Sequence, residues 1–375
     1  MKTARLALFA AAFGLASLSP QLASAQTEFV YGSWLPPREY MNAVAIPNIF
    51  KDIEEQTKGQ IKWKLIAGGQ LADGKATFSA VQDNLMQAGI AIAVYVPSAA
   101  PSLHTIYSSL TFGEDVVAAS GAALETMTLN CPTCIDEFKK LNAVGLAGWV
   151  AAPYKLLCTA PIKTVEDIKG KRIRATGGNA EMLRAVGGVP VAGTLVEALS
   201  LLQRGGLECV LGTTDWLRTI GYADFAKHVT DFSLGMSGPA VGFWLNRDTW
   251  NKMSPEVKKI HLRAAARLSA ETAINGFVVN NQNSLEWAIK EKGVQIVSAG
   301  KDFDEMVAAY AKAEPERNAK VAKGFGVANP EAIVDAFRKN FVKWQALSKE
   351  IGRDPKKFEE AIMREIYDKV DPAKL

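Results

Sequence analysis

Residues 167–188 read DIKGKRIRATGGNAEMLRAVGG, a basic stretch that climbs into an apolar alternation and then meets a glycine pair. If KRIRAT is a strand, Arg172 and Arg174 share one face while Lys171 and Ile173 share the other. Thr176-Gly177-Gly178-Asn179 then turns into an amphipathic helix expected over 179–186. The free N–H groups of that helix start point back toward the strand end, where the helix dipole favours an anion. An arginine there adds a planar fork that matches a carboxylate in bidentate fashion. Strand end and helix start together suggest a carboxylate clamp at Arg174 and Gly177. An arginine solvated at a strand edge fits this stretch equally well.

Around this stretch, strands alternate with helices, the pattern of an α/β protein with a largely parallel sheet. EFVYG (28–32) and IKWKLIAGG (61–69) read as strands and flank a helix that ends near Lys58-Gly59. AGIAIAVYV (88–96) is a continuous apolar run, as in a strand buried on both faces. VGLAGWV (144–150), YKLLCTAPI (154–162), LECVLG (207–212) and VGFWLNRDTW (241–250) supply further strands, and Leu195–Arg204 a helix. From Ser254-Pro255, an N-cap followed by proline, only Gly276 interrupts the helical pattern before Lys292-Gly293. At 1.5 Å per residue that helix is roughly 55 Å long. Without a sustained heptad seam, it is expected to brace two domains rather than form a coiled-coil arm.

The first 25 residues combine a basic start (Lys2, Arg5), an apolar stretch (6–16) and a small-residue site, Ala23-Ser24-Ala25, so a secretory signal cleaved after Ala25 is expected. No later run reaches the ~18 apolar residues of a membrane helix, so no direct membrane insertion is expected. Loss of the two signal cations lowers the formal charge from +4 to +2, too mild to argue for a nucleic-acid or membrane-surface partner. In an oxidising compartment the four cysteines suggest disulfides, and of the three possible pairings Cys131–Cys134 with Cys158–Cys209 is the one adopted. CPTC resembles a redox motif, but no strand leads directly into it.

Chemical motifs are scarce. Gly69–Ala76 (GQLADGKA) imitates a phosphate loop, but Ala76 stands where the magnesium-ligating hydroxyl belongs, so it reads as a turn. His104, His228 and His261 lack metal-ligand spacing and read as surface or capping residues. No nucleophile elbow or zinc-protease motif occurs, so neither metal, cofactor nor catalysis is expected.

SWLPP (33–37), GGQL (68–71), PIKTVEDIKGKRIRATGG (161–178), GGVPV (187–191), EALSLLQRGGLE (197–208) and VGFWLNRDTWNKM (241–253) occur in an order and spacing that resembles the substrate-binding subunits of tripartite ATP-independent periplasmic (TRAP) transporters. The resemblance covers nearly the whole mature chain. It implies a two-lobed, type II-like periplasmic binding protein with hinge strands and a long helix underlying both lobes. One lobe would comprise 26–153 and 242–282, the other 154–241 and 283–345, with 346–375 as a C-terminal helical segment. It also implies a periplasmic protein that is no enzyme, with an organic acid as ligand and integral-membrane transporter subunits as partners. By this resemblance Arg174 takes the place of the family's carboxylate-binding arginine.

Two departures stand out. Gly212 occupies a position where many members have asparagine, and Tyr154 or Pro153 stands where sialic-acid-type members carry a second arginine. Meanwhile Trp34, Tyr95, Trp149, Tyr154, Trp216 and Phe243 fall at expected strand ends, where clefts form. The expected ligand is therefore a monocarboxylate with an apolar or aromatic body. The alternatives are a C4-dicarboxylate in the same transporter class, or a periplasmic enzyme or a binding protein linked to an ATP-driven importer or a sensor on the same scaffold. Asp215 and Arg218, flanking Trp216, are expected to read a second polar group or to pair with each other.

Overall fold

The computed structural model describes residues 26–375, so the expected signal segment lies outside the described residues. Two six-stranded mixed sheets organise the chain. The first runs β2 (Ile61–Ile66), β1 (Thr27–Gly32), β3 (Ala88–Ala91), β11 (Ala240–Asn246), β4 (Ala143–Gly145), with β5 (Gly148–Trp149) also on β11. The second runs β12 (Gln295–Ser298), β10 (His228–Asp231), β6 (Lys155–Cys158), β9 (Cys209–Gly212), β7 (Arg172–Arg174), β8 (Val189–Val191). Each sheet with its helices is one lobe of an α/β, two-lobed fold.

The apolar run 88–96 is a strand only as far as Ala91, and Ala93–Tyr95 is a short 3₁₀ turn. Strand and turn are both buried up to Val94, so apolarity alone does not mark the boundary. Residues 144–150 likewise form two short strands, β4 and β5, which pair with β11 in one antiparallel register; the irregularity in β11 lies on its other side, against β3.

Both disulfides form as expected. Cys158 and Cys209 sit directly opposite each other on antiparallel β6 and β9, and Cys131 is bonded to Cys134 at the start of the Pro132–Lys140 helix. The phosphate-loop mimic is a turn: Asp73 Oδ1 accepts from the N–H groups of Lys75 and Ala76 at 2.9 and 2.8 Å. Two of the histidines depart from their expected surface setting. His261 is a core residue whose Nε2 accepts from Trp63 Nε1 at 3.0 Å, and His104 is also buried.

Chain crossings between the lobes are tied together. Tyr154 N–H donates to Gly235 O (2.9 Å) and Leu234 N–H to Tyr154 O (2.8 Å), making an antiparallel hinge pair. The long helix is continuous from Pro255 to Lys292, but Thr272–Val279 is π-helical, a wider turn that often marks functional positions. Its first half holds the first lobe, where Arg267 pairs with Asp52 and Ser269 Oγ accepts from Gly148 N–H at 3.0 Å. Its second half holds the other lobe through Lys292–Asp224 at 2.8 Å and Asn281 Oδ1, which accepts from Thr214 Oγ1 at 2.8 Å. The expected brace is thus formed.

The helix Pro330–Ile351 packs on Val116–Leu129 of the first lobe, where the expected division put residues up to 345 with the second. Trp344 explains the placement. Its ring lies flat on Gly121, where a Cβ would overlap it, and its Nε1 donates to buried Glu125 Oε2 at 2.6 Å. Lys343 Nζ pairs with the same carboxylate at 2.8 Å. Trp344→Ala is therefore expected to lower unfolding free energy by about 3–5 kcal/mol, because it opens a cavity and strips a buried carboxylate of a donor. Urea denaturation measures the loss, and a change below about 1 kcal/mol would show that the C-terminal helix is dispensable packing.

Candidate functional site

Arg174 ends β7, held by pairing to Val191 on β8 and Val210 on β9. Its side chain is 3% exposed, and Nε donates to Gly193 O at 3.0 Å. Among the described residues no Asp or Glu oxygen lies within 4.0 Å of its guanidinium. Phenols surround it instead: Tyr95, Tyr222, Tyr154 and Tyr107 all interact with its charge. Desolvation pushes the Tyr154 phenol up to about 12, so it remains a neutral donor at physiological pH. Arg172, by contrast, is occupied, its Nη2 meeting Glu208 Oε1 at 2.6 Å near the strand start.

The guanidinium faces a cavity of about 50 Å³ between the lobes. Strand ends and the loops beyond them supply most of its wall: Trp34 follows β1, Tyr95 follows β3, Trp149 ends β5, Tyr154 precedes β6 and Trp216 follows β9. One aromatic pair stands on each side. Trp34 and Tyr95 meet edge-on at 5.5 Å, and Tyr154 and Trp216 are tilted at 5.5 Å. Two tryptophans are seated on bare backbone. A Cβ at Gly212 would overlap the ring of Trp216, and one at Gly242 the ring of Trp149. The glycine at 212 is thus the local counterpart of a large ring that fills the space an asparagine would need.

Four expected site residues lie elsewhere. Phe243 points into the first-lobe core, 5.1 Å from Trp63 and 5.6 Å from Tyr31, because alternation along β11 turns it away from the cleft. Arg218 is exposed and lies over Trp287 of the brace at 5.3 Å, so it does not pair with Asp215. Asp215 is buried behind Trp216, accepting from Thr213 Oγ1 and, at 3.4 Å, from Thr219 Oγ1. Gly177, with φ +55°, lies with Ala175, Thr176 and Gly178 on a separate, roomier cavity of about 380 Å³, the chain changing sides at the residue after Arg174. Strand end and helix start therefore serve different cavities, not one clamp. The smaller cavity holds the buried guanidinium, and we take it as the candidate site.

Sequence reasoning missed Glu39, Tyr107 and Phe277, which also line the cavity. Glu39 sits in the turn after SWLPP and accepts from Met41 N–H at 2.7 Å. Burial, together with the nearby Asp215 charge, pushes its carboxyl up to about 8, and burial pushes Asp215 up to about 7. Phe277 belongs to the π-helical segment of the brace, so the long helix reaches the site itself. Across the mouth, Arg38 donates from Nε to Thr219 O (2.7 Å) and from Nη2 to Ile220 O (3.0 Å), while Lys75 pairs with Glu197 at 2.6 Å. These contacts join the two lobes.

Known structures repeat the architecture. The chain is similar to a marine-metagenome TRAP solute-binding protein specific for aromatic acid ligands, solved with 3-hydroxybenzoate, at 19% identity and TM-score 0.76, over 86% of this chain and 99% of that one. A TRAP periplasmic solute-binding protein of Bordetella bronchiseptica with bound (R)- and (S)-mandelate matches at 23% identity and TM-score 0.71, over 84% and 99%. An extracytoplasmic solute receptor of Bordetella pertussis binding pyroglutamic acid matches at 17% identity and TM-score 0.70, over 83% and 99%. At these identities the likeness establishes the fold. Residues 33–316 match the family model for bacterial extracellular solute-binding proteins, family 7, and the chain belongs to that family.

Proposed function

We propose that the protein captures a monocarboxylate with an apolar or aromatic body between its lobes, in the periplasm, and delivers it unchanged to integral-membrane TRAP subunits. One observation carries this reading: the guanidinium of Arg174 is buried in an aromatic cavity without an acidic partner. An unpaired buried charge is costly, and a ligand carboxylate would supply the missing counter-ion with two parallel hydrogen bonds. The tryptophans and tyrosines would hold the body. A C4-dicarboxylate fits less well, because the cavity wall offers Arg174 as its cation and Glu39 as an acid, so a second carboxylate would lie unpaired.

The enclosed volume of about 50 Å³ is smaller than the ~150 Å³ apolar cavity that admits benzene, so the lobes must part for loading and re-close on the ligand. Contacts shared by both lobes exist only when closed, and a ligand therefore shifts the population toward the closed form. The Arg38 and Lys75 contacts across the mouth belong to that form. Membrane subunits that read the closed shape would distinguish loaded from empty protein.

Benzoate at 100 times its dissociation constant should stabilise the native protein by about 2.7 kcal/mol, read as a rise in melting temperature. Arg174→Ala should fold and lose at least about 30-fold in affinity, the equivalent of about 2 kcal/mol for one truncated buried pair. Succinate raising the melting temperature while benzoate and other aromatic acids leave it unchanged would overturn the ligand class.

Gly212→Asn should displace Trp216 and weaken benzoate binding at least about tenfold, measured by calorimetry. Unchanged affinity would show that Trp216 does not support the ligand. Glu39 makes a pH prediction. The folded protein holds that proton to about pH 8, whereas an exposed carboxyl releases it near 4.5, so folding stability falls as pH rises through this window. Asp215 acts in the same direction up to about 7. Glu39→Gln should therefore flatten the upper part of the slope in urea denaturation, and an unaltered slope would place that titration elsewhere.

A further inference from the structure

The cavity that holds Arg174 has a polar group on its opposite lobe as well. Glu39, in the turn after Ser33–Pro37 of the first lobe, is 5% exposed and lines that cavity. Its place is fixed by its neighbours in sequence. Met41 N–H donates to Oε2 at 2.7 Å, and Asn42 Nδ2 donates to Leu35 O and Pro36 O at 2.9 and 3.1 Å. Tyr40 packs on the bare backbone of Gly276 in the brace, where a Cβ would come within 3.2 Å of its ring. Phe277, beside that glycine, lines the cavity too. The carboxyl is a held group at the brace end of the cleft, not a mobile surface acid.

Half of this carboxyl is unused. Oε1 makes no hydrogen bond to any described residue and, unlike Asn42 Oδ1, is not sealed off by neighbouring atoms. Other polar groups around it are taken. Trp34 Nε1 donates to Ile90 O at 3.0 Å and Ser237 Oγ to Asn179 Oδ1 at 2.7 Å, while the phenols of Tyr95, Tyr107 and Tyr154 attend the Arg174 charge. Asp215, whose charge Glu39 feels, already accepts from the hydroxyls of Thr213 and Thr219.

The open oxygen discriminates between ligands. A bare hydrocarbon face laid against it would strip its water and leave a buried polar atom unpaired. A ligand hydroxyl replaces that water. Burial pushes the carboxyl up to about 8, so near neutral pH it is mostly protonated and can accept from a hydroxyl or donate to one. A second charge fits less well, since an ammonium would repel Arg174 across a desolvated space and a carboxylate would have a single neutral donor to meet.

We propose that Glu39 selects ligands that carry a hydroxyl on the body, so that the solute is a hydroxy-substituted monocarboxylate held at its acid by Arg174 of one lobe and at its hydroxyl by Glu39 of the other. This rests on the Arg174 reading proposed above. Because the second contact spans the lobes, a hydroxylated acid favours the closed form more than its plain analogue does.

Calorimetry with benzoate, 3-hydroxybenzoate and 4-hydroxybenzoate on the chain from Gln26 onward tests it. At least one hydroxylated acid is expected to bind about tenfold or more tightly than benzoate. Glu39→Leu should remove that preference and keep benzoate affinity within about threefold, which also shows that the variant folds. Glu39→Gln, which keeps an acceptor and a donor in place, should retain the preference. In a crystal with the tighter hydroxybenzoate, the ligand hydroxyl is expected about 2.8 Å from Glu39 Oε1. Equal affinity of the wild type for all three acids, a preference that survives in Glu39→Leu, or a hydroxyl seated away from Glu39 would overturn this proposal and leave the Arg174 site standing. Failure of all three acids to bind would overturn both.

Discussion

A positive charge enclosed by phenols and indoles, with no carboxylate to balance it, is the constraint around which the lobes are arranged. Guanidinium groups are lost from water only at considerable cost, and proteins normally return that cost through a bidentate partner. Here the protein supplies a single carbonyl, Gly193 O, to Nε of Arg174. Tyr95, Tyr107, Tyr154 and Tyr222 soften the charge without neutralising it. The nearby acids do not neutralise it either. Burial holds Glu39 mostly protonated at neutral pH, while Asp215, pushed up to about 7, is partly ionised there, so the two carry less negative charge than two exposed carboxylates would.

Rigid support for that arrangement comes from the sheets and from the brace. Arg174 is fixed by pairing on both sides of β7, Trp149 and Trp216 by the glycines beneath them. The brace links the two halves of the cleft, gripping the first lobe through Arg267 and Ser269 and the second through Asn281 and Lys292. Its π-helical turn falls between these anchor sets and carries Phe277 into the cavity. A lobe movement that bends the helix there would therefore move a wall of the site, coupling closure to occupancy.

Much of this was legible because local chemistry and global fold agree. The strand–helix alternation, the Ser254-Pro255 start of the brace and the Cys131–Cys134 pair each have short-range signals, and Cys158 and Cys209, 51 residues apart, are the two cysteines that then remain. Arg174 was legible too, as a cation inside an apolar alternation. What failed was direction. Gly177 is three residues from Arg174, yet the chain changes sides already at Ala175, so the two face different cavities. Phe243 and Arg218 carry the right chemistry on the wrong side of their elements. Glu39 had no signal, because a glutamate in a proline-rich turn reads as solvated until the second lobe covers it. Likewise, His104 and His261 reveal their burial only through helices and strands distant in sequence.

The most direct measurement of the central claim is the position of a carboxylate in a crystal of the loaded protein. With 4-iodobenzoate bound, the iodine's anomalous signal locates the ring independently of the protein density. The account predicts the ring between the Trp34–Tyr95 and Tyr154–Trp216 pairs, with both carboxylate oxygens about 2.8 Å from the Arg174 guanidinium. An acid group anchored away from Arg174, with that side chain turned to solvent, would contradict it.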